Sequence, residues 1–414
     1  MAVGSSQRRD LSAQAGGSAE AAVRLHYLDW LRVLATLGVF LFHAINVFSP
    51  FGFEISNAQS SDVVMFIQIF FFPWGMPLFF LVSGAGSWFA FRRRSAGQFT
   101  RERTLRLLLP FFTGTILLGP VQLYFSWSHK SQMGVFAGSF LDFLAHRVPR
   151  IGPKFSGAFG YHMWFLGFLF AFSLLALPLF VWLKGDAGQR AVSRLAGLCE
   201  RRGTILLFIL PVAAVRLGLQ PFFPGAQDWA DFFSHGTFFV LGYLLFCDER
   251  FLRAIRRDWW ILLGAGIVAI LAVTAIGFSI ESFDLFRPPG TFREYLLWGL
   301  IAACGWCWTA FMLFIAMLYL DRDSKVLRYS LSANLPFFVV HQPVILAIAY
   351  FVVQWEATIA LKLLVLILGA FVVSIGLTEL VKRAGILQVL FGMKALPKAT
   401  PAQPREVPGT LPSA

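Results

Sequence analysis

The stretch YLDWLRVLATLGVFLFH spans residues 27–43 and continues as a mostly apolar run to residue 48. A helix that crosses a membrane needs about 20 mostly apolar residues, so this run is long enough to cross. It nevertheless carries three ionisable side chains, Asp29, Arg32 and His43. Because ionisable groups inside a membrane are costly, residues of this kind usually serve a function. The stretch therefore predicts a membrane helix with a functional polar face.

Arg32 and His43 are predicted to face the same side of this helix. At about 100° per residue, the eleven steps between them return to within about 20° of the starting direction, roughly 16 Å along the axis. We expect the guanidinium near the cytoplasmic surface and the imidazole deeper, on one buried path. Asp29 precedes Arg32 by three residues, which suits a local ion pair. A structural interpretation stays open, in which Arg32 reaches the membrane surface and His43 bonds a neighbouring helix.

The composition extends the membrane interpretation to the whole chain. Of 414 residues, 57% are hydrophobic and 14% charged, whereas soluble domains carry roughly 25% charged residues. We predict an all-α polytopic membrane bundle of about ten transmembrane helices, near residues 28–48, 63–90, 105–125, 162–183, 204–220, 231–247, 259–279, 295–319, 332–352 and 358–381. The expected domains are a disordered cytoplasmic tail (1–24), the transmembrane domain (25–382) and a disordered, Pro-rich cytoplasmic tail (383–414).

The net charge of +13 is spread over short basic clusters that fall mainly in every second connection. Because cytoplasmic loops are enriched in Lys and Arg, this pattern predicts both termini in the cytoplasm and a multi-pass protein of the inner membrane. The expected partner is the lipid bilayer and no nucleic acid. Cys304 and Cys307 have CxxC spacing inside an apolar run and are interpreted as packing residues. Neither a metal site nor a tightly bound cofactor is expected.

Two further pairs of residues are candidates for substrate binding. Arg103 and Arg106 lie three residues apart before the third predicted helix, where they could clamp a phosphate or only set the topology. His162 and Trp164 lie at the outer edge of the fourth helix. There Trp164 has an ordinary role as an interfacial aromatic, and His162 is either solvated or part of an acceptor site.

His341 lies inside the ninth predicted helix, in the segment NLPFFVVHQP (residues 334–343). Polar side chains beside two prolines favour a helix that is broken where it lines a cavity. A buried histidine with one hydrogen bond is an equal alternative. The chain has no GxxxxGK[ST], HExxH, GxSxG or dinucleotide-binding motif, so nucleotide hydrolysis and zinc proteolysis are disfavoured.

Taken together, these segments resemble membrane-bound acyltransferase family 3, which includes bacterial O-acyltransferases and glucan-modifying succinyltransferase-like proteins. The Arg32–His43 pair matches an Arg and a His separated by ten residues in the family's first helix. PLFFLVSG (77–84), with Ser83, is similar to its FFxxSG segment, and RTLRLLLP (103–110) to its RxxRLxxP segment. HMWFL (162–166) and the region from Tyr329 to Pro343 are similar to two later segments. The resemblance covers about residues 25–380.

The resemblance implies an O-acyltransferase that moves an acyl group from cytoplasmic acyl-CoA to a hydroxyl of a sugar or glycolipid at the outer face. Together with the residue pattern it leads to the hypothesis that Arg103 and Arg106 hold the CoA phosphates, that Arg32 helps to position the donor, and that His43 acts as general base or accepts the acyl group. The remaining expected substrate-binding residues are Asp29, Ser83, His162, Trp164 and His341.

Two alternatives stay open. A transporter or flippase for an anionic lipid-linked or acylated metabolite needs the same basic mouth but no reactive base. A non-catalytic scaffold could use the same fold.

Overall fold

The computed structural model describes residues 25–130, 136–151, 158–280, 284 and 287–393, and this part of the chain contains helices and no β-strand. In its first half the main helices are α1 (His26–Asn46), α2 (Asp62–Phe71), α3 (Gly75–Arg92), α4 (Ala96–Arg103), α5 (Leu109–His129), α6 (Trp164–Leu175), α7 (Leu177–Lys184) and α8 (Asp186–Leu198). In its second half they are α9 (Ile209–Leu219), α10 (Trp229–Leu245), α11 (Glu249–Arg257), α12 (Trp259–Ser279), α13 (Phe292–Tyr319), α14 (Lys325–Val352), α15 (Ile359–Arg383) and α16 (Gly385–Leu390). Short helical turns also occur within 140–151 and 158–163.

The all-α polytopic bundle is confirmed, but fewer helices than ten qualify as membrane spans. In the described chain seven helical segments are long and apolar enough to cross a membrane, or up to nine if each of two bent pairs counts as one. The bent pairs are α6 with α7, at 44°, and α10 with α11, at 104°. The side of the membrane on which each connection lies stays a prediction.

The predicted fifth span is too short. Its apolar helix, Thr204–Leu219, belongs to the class of 10–17 residues, below the roughly 20 that a crossing needs. It begins after Gly203, whose φ of 76° is left-handed. The Gly203 amide donates to the buried Asp258 carboxylate at 2.9 Å, so this turn is tied to the start of α12.

α14 corrects the prediction of a broken helix. It runs continuously from Lys325 to Val352 with Pro336 and Pro343 inside it. A proline has no backbone N–H, so the carbonyl four residues earlier loses its helical partner. For Pro343 that carbonyl belongs to Val339, and it lies 3.1 Å from the His162 side chain. A side chain from another helix thus satisfies the group that proline leaves free.

Two glycines allow α3 and α10 to cross in close contact. A Cβ placed on Gly84 would lie 1.9 Å from the Phe239 carbonyl oxygen, and one on Gly242 would lie 2.0 Å from the Leu81 oxygen. Small residues at such crossings let helix backbones approach in membranes, where dispersion contacts drive association. The crossing positions α3, which carries Ser83 and Gly86 of the site described below.

The outer surface of the bundle is apolar, as expected of a surface that faces lipid. α12 exposes Val268 and Leu271, and α15 exposes Val372 and Leu380, each by more than half of its area. Interior packing uses large aromatics, and Trp306 also donates its indole N–H to the Ile205 carbonyl at 2.9 Å. Cys304 and Cys307 are free, fully buried thiols in α13.

The described chain continues beyond residue 383 as a short helix, while the division into a transmembrane domain and two tails stays a prediction. α16 follows α15 directly, and Phe391 is buried against the main core. Gly392 has a left-handed φ of 68°, and a Cβ there would lie 3.0 Å from the Arg106 carbonyl oxygen. The predicted tail 1–24 and residues 394–414 lie outside the described residues.

Candidate active site

A cavity of about 620 Å³ lies among α1, α3, α6, α14 and the junction of α4 with α5. Two carboxylates line it together with several arginines. The carboxylates are Asp29 and Glu102; the arginines are Arg32, Arg93, Arg94, Arg103 and Arg106. Guanidinium groups match phosphate oxygens in geometry and charge. The excess of cations over carboxylates suits an anionic, phosphate-bearing ligand.

Arg32 is held at the cavity by its own helix and by space left in α3. Its Nη1 lies 3.6 Å from Asp29 Oδ1, which is the ion pair that the spacing predicts. A Cβ on Gly86 would lie 3.1 Å from Arg32 Nη2, so glycine at this position leaves room for the guanidinium. The Arg32 side chain is 39% exposed and faces a cavity large enough for a ligand.

Arg103 is positioned by α3. Its Nη2 donates to Ser87 Oγ at 2.9 Å, and its guanidinium lies 4.8 Å from the centre of the Phe99 ring. Ser87 Oγ in turn donates to the Ser83 carbonyl oxygen at 2.9 Å. Ser83, which the sequence associates with the site, therefore supports Arg103 through Ser87 and also lines the cavity.

Arg94 and Arg106 are held side by side by Glu102. The Glu102 carboxylate lies 2.8 Å from Arg94 Nε and 3.3 Å from Arg106 Nη1. A π-helical turn, Thr104–Leu108, separates Arg103 from α5 and carries Arg106. Such turns are frequent at functional sites. Here the turn brings Arg103 and Arg106 to one cavity.

Part of the cavity lining is apolar and aromatic. The lining includes Thr36 of α1 together with Phe79, Phe165 and Phe338. The Phe338 ring centre lies 5.7 Å from that of Phe165. A ligand with an anionic end and an apolar arm would fit this division.

Three histidines from three separate parts of the chain meet beyond Phe338. The ring centres of His43 and His341 lie 5.4 Å apart, those of His162 and His341 5.0 Å, and those of His43 and His162 6.5 Å. The Phe338 ring lies 5.6 Å from His162 and from His341. Among the described residues no group of three or more His, Cys, Asp or Glu could hold a metal ion, so these imidazoles are not arranged as metal ligands.

The expectation that Arg32 and His43 lie on one buried path stays a prediction, and the structure places the two residues in neighbouring parts of the site. Arg32 and Thr36 line the arginine cavity, whereas His43 does not. Phe338 lies between the two parts, with its ring in the cavity wall and in contact with the histidines. Arg32 and His43 share α1, but a side chain of α14, which no periodicity in α1 reveals, lies between the cavity and the histidines.

Carbonyl groups of α14 hold two of the histidines. His162 Nε2 lies 3.1 Å from the carbonyl oxygens of both Phe338 and Val339. His341 Nδ1 lies 2.6 Å from the Phe338 oxygen. His162 is 4% exposed and His341 is fully buried, so the interpretation of His162 as a solvated outer residue is wrong.

The segment between α1 and α2 covers His43 from the other side. Phe53 stacks on the His43 ring with centres 6.0 Å apart. Lys362 of α15 donates to Asn57 Oδ1 at 2.9 Å, and the Ser56 amide donates to His129 Nε2 at 3.4 Å. Helices α5 and α15 thus pin this segment over the histidines.

Trp164 is the one predicted site residue that neither part of the site includes. Its ring packs against Phe80, Phe168 and His235, with centres 5.0–6.1 Å apart. His235 itself stacks on Phe80 at 4.9 Å. Trp164 therefore has a packing role in the structure described.

Sequence reasoning missed several residues of the site. Arg93 and Arg94 are interpretable from sequence only as topology signals, and Glu102 gives no signal without the fold. A second intramembrane ion pair, Arg216 with Asp231 at 2.7 Å, could have been found from charged residues inside apolar segments. It lies outside the site, with Arg216 placed over the Trp298 ring.

The fold and this site define a polytopic integral membrane protein that pairs an arginine-lined cavity with a buried cluster of three histidines. The model of the acyltransferase domain of family 3 matches residues 25–379, and the chain belongs to this acyltransferase family. It is therefore a membrane acyltransferase. No curated protein and no solved structure matches the chain.

Proposed function

We propose that this acyltransferase takes its acyl group from acyl-CoA bound in the arginine cavity and delivers it to a hydroxyl of a sugar or glycolipid. One observation supports the proposal most: the arginine cavity and the histidine cluster lie at two levels of the same helix, α1, and share Phe338 as their wall. An anionic acyl donor needs cations at one level, and a base that acts on its reactive end must lie at the other level.

The cavity supports CoA as the carrier of the acyl group. CoA has phosphates at one end and a long, weakly polar arm that ends in the thioester. Arg103 and Arg106, with Arg93 and Arg94 beside them, would hold the phosphates. Arg32 would bind further along the donor, and the arm would extend along Thr36 towards Phe338. The acyl group would then reach the histidines past the Phe338 ring.

His43 would act as the general base. Its imidazole removes the proton from the acceptor hydroxyl, and the oxygen attacks the thioester carbonyl carbon. The C–S bond breaks, the sulfur leaves as a thiolate, and His43 returns the proton to it. A well-placed base of this kind contributes about 10²–10⁴ in rate. Transfer through an acyl-His43 intermediate is the alternative route.

The orientation follows from the supply of donor. Acyl-CoA is available in the cytoplasm, so the arginine cavity would open there, in agreement with the basic connections. The histidine cluster would lie towards the outer leaflet of the inner membrane, where a cell-envelope sugar or glycolipid is presented. His162 and His341 would then lie beside the acceptor.

The test measures release of free CoA from labelled acetyl-CoA or succinyl-CoA by the protein in proteoliposomes, with a panel of sugar acceptors. We expect acceptor-dependent release by the unmodified protein and a loss of at least about 10²-fold in His43→Ala. His146→Ala is the matched control, because His146 is 66% exposed and its Nδ1 lies 2.9 Å from the Asp142 carboxylate. CoA release by His43→Ala at the unmodified rate would remove His43 from the mechanism.

The same assay separates catalysis from transport. A transporter of an anionic metabolite would move label across the bilayer without breaking the thioester. Label that crosses while CoA stays acylated would favour the transporter and contradict the proposed function.

A further inference from the structure

We propose that His341 and His162 have opposite tautomers, each with one unprotonated ring nitrogen. His341 is a positioning residue whose free nitrogen orients His43, and the free nitrogen of His162 binds an acceptor that donates a hydrogen bond. The proposal rests on the proposed function and deepens it. It assigns the two histidines separate tasks and restricts the acceptor to a neutral, hydroxyl-bearing group.

The tautomer of His341 follows from its carbonyl contact. The Phe338 oxygen can only accept a hydrogen bond, and His341 Nδ1 lies 2.6 Å from it, so Nδ1 must carry the proton. A neutral ring has one protonated nitrogen, which leaves Nε2 bare. Nε2 is buried and has no hydrogen-bond partner among the described residues.

His162 has the opposite tautomer for the same reason. Its Nε2 faces two carbonyl oxygens, those of Phe338 and Val339, at 3.1 Å each. Nε2 must therefore carry the proton, and Nδ1 is bare. Pro343 makes this possible, because it leaves the Val339 carbonyl without its helical donor. Nδ1 of His162 is also buried without a partner in the described chain.

Each unprotonated nitrogen would accept a hydrogen bond from a specific donor. His43 Nδ1 is likewise buried without a partner among the described residues, and the His43 ring is nearer to His341 than to His162. When His43 takes the acceptor's proton at Nε2, its Nδ1–H becomes a cationic donor, and His341 Nε2 accepts from it. A hydrogen bond to an ionised group is about twice as strong as a neutral one, so this contact favours the state in which the proton has moved.

His162 Nδ1 accepts a hydrogen bond from a second hydroxyl of the acceptor, because the reacting hydroxyl gives its one proton to His43. A lone pair attracts O–H groups and repels carboxylate or phosphate oxygens. Because a buried polar group strongly disfavours partners that leave it unpaired, the site would reject an acceptor whose reacting end is anionic. The arginines provide for anions on the donor side, and the histidines exclude them on the acceptor side.

The experiment exchanges each histidine for Asn and for Gln and measures kcat and the KM for acyl-CoA. The Asn amide lies near the position of Nδ1 in histidine, and the Gln amide near that of Nε2. At position 341 we expect His341→Gln, which retains an acceptor at Nε2, to keep a kcat at least about tenfold above His341→Asn. At position 162 the order reverses, and His162→Asn exceeds His162→Gln by a similar factor. The KM for acyl-CoA stays within about twofold throughout.

A purely structural role predicts the opposite order at both positions, because His341→Asn and His162→Gln keep the bonds to the carbonyls. That order, or equal losses in all four variants, would overturn the proposal. Melting temperatures in detergent check that each variant is folded.

Nitrogen-15 NMR of the imidazoles in the unmodified protein is a second measurement that needs no variant. A protonated His341 Nε2 or a protonated His162 Nδ1 would also overturn the proposal. If the unmodified protein transfers no acyl group, the proposed function fails, and the NMR measurement still decides the tautomers.

Discussion

Phe338 is the residue at which the two parts of the site meet, and it contributes through both its ring and its backbone. Phe338 lines the arginine cavity and its ring contacts His162 and His341, while its carbonyl oxygen accepts from both of these histidines. Substitution of the side chain leaves the carbonyl in place. The two contributions can therefore be separated by experiment.

We expect Phe338→Ala to widen the range of acyl groups that the enzyme uses. Removal of the ring enlarges the space between the arginine cavity and the histidines, through which the acyl group would pass. Each additional methylene that fits a pocket is worth about 10-fold or more in specificity. The ratio of kcat/KM for a long acyl-CoA to that for acetyl-CoA should rise by about tenfold. Phe278→Ala on the lipid-facing surface is the control, because Phe278 is 60% exposed. An equal loss for all chain lengths would show that Phe338 does not limit the acyl group.

At this scale the sequence predicts the ionisable residues but not their arrangement. Arg32, Asp29, Arg103 and Arg106 are identifiable because charges inside or beside apolar segments are costly, and all four line one cavity. Phe338 is one of 47 phenylalanines, and nothing in its local sequence separates it from the others. Its role depends on contacts between distant segments.

Among the elements, α14 contains a carbonyl, that of Val339, which Pro343 leaves without a helical donor and which His162 contacts instead. We expect Pro343→Ala to add a backbone N–H that bonds the Val339 carbonyl within the helix. His162 then loses one of its two carbonyl partners. Activity should fall by about tenfold, while the melting temperature in detergent stays equal or rises, since the helix gains a hydrogen bond.

Pro336→Ala in the same helix is the control for Pro343→Ala. It adds an N–H towards the Ser332 carbonyl, away from the histidines. A similar loss of activity in both variants would mean that general straightening of α14, and not the His162 contact, causes the effect.

The crossing of α3 and α10 is sensitive to a single methyl group. In Gly84→Ala the Cβ would lie 1.9 Å from the Phe239 carbonyl oxygen, so the two helices must separate. Overpacking of this kind costs about 1–3 kcal/mol, which a lower melting temperature in detergent would report. Gly38→Ala in α1 is the control, because a Cβ there meets nothing within 4 Å. Equal melting temperatures for the two variants would contradict the close crossing.

The sequence mispredicts the elements in two ways. Apolar length alone places helices at all ten predicted positions, but it does not detect bends or helices that stop short. The segment 231–247 ends near a turn of 104° into α11, and Asp248 caps α11 through the Arg250 amide. α14 shows the opposite error, because a proline breaks a helix only where no other donor satisfies the freed carbonyl.

For the whole molecule, Asp258 links stability to pH. It is fully buried and accepts two hydrogen bonds from Arg257, at 2.8 and 2.7 Å, and one from the Gly203 amide. The Arg257 bonds above all hold the pKa of the Asp258 carboxyl below its usual value. The stability that the Asp258 carboxylate contributes is therefore present above the pKa of an unfolded Asp, about 3.9. It is lost as the pH falls through the pKa of Asp258 in the folded protein.

Asp258→Asn should accordingly destabilise the protein by about 1–3 kcal/mol at neutral pH. The difference in melting temperature from the unmodified protein should shrink as the pH falls below about 4. Asp323→Asn provides a matched control, since Asp323 is 43% exposed in its pair with Arg328. A difference that stays constant across the pH range would show that the carboxylate charge is not the cause.

The two ends of the described chain both lie beside the arginine cavity. Leu25 lines the arginine cavity, and Gly392 packs against the backbone of Arg106, whose side chain lines it too. A purification handle fused directly before Leu25 or directly after Met393 would begin beside the arginines of this cavity. An acidic handle would compete for them and raise the apparent KM for acyl-CoA, whereas a cleaved handle would leave the cavity unobstructed.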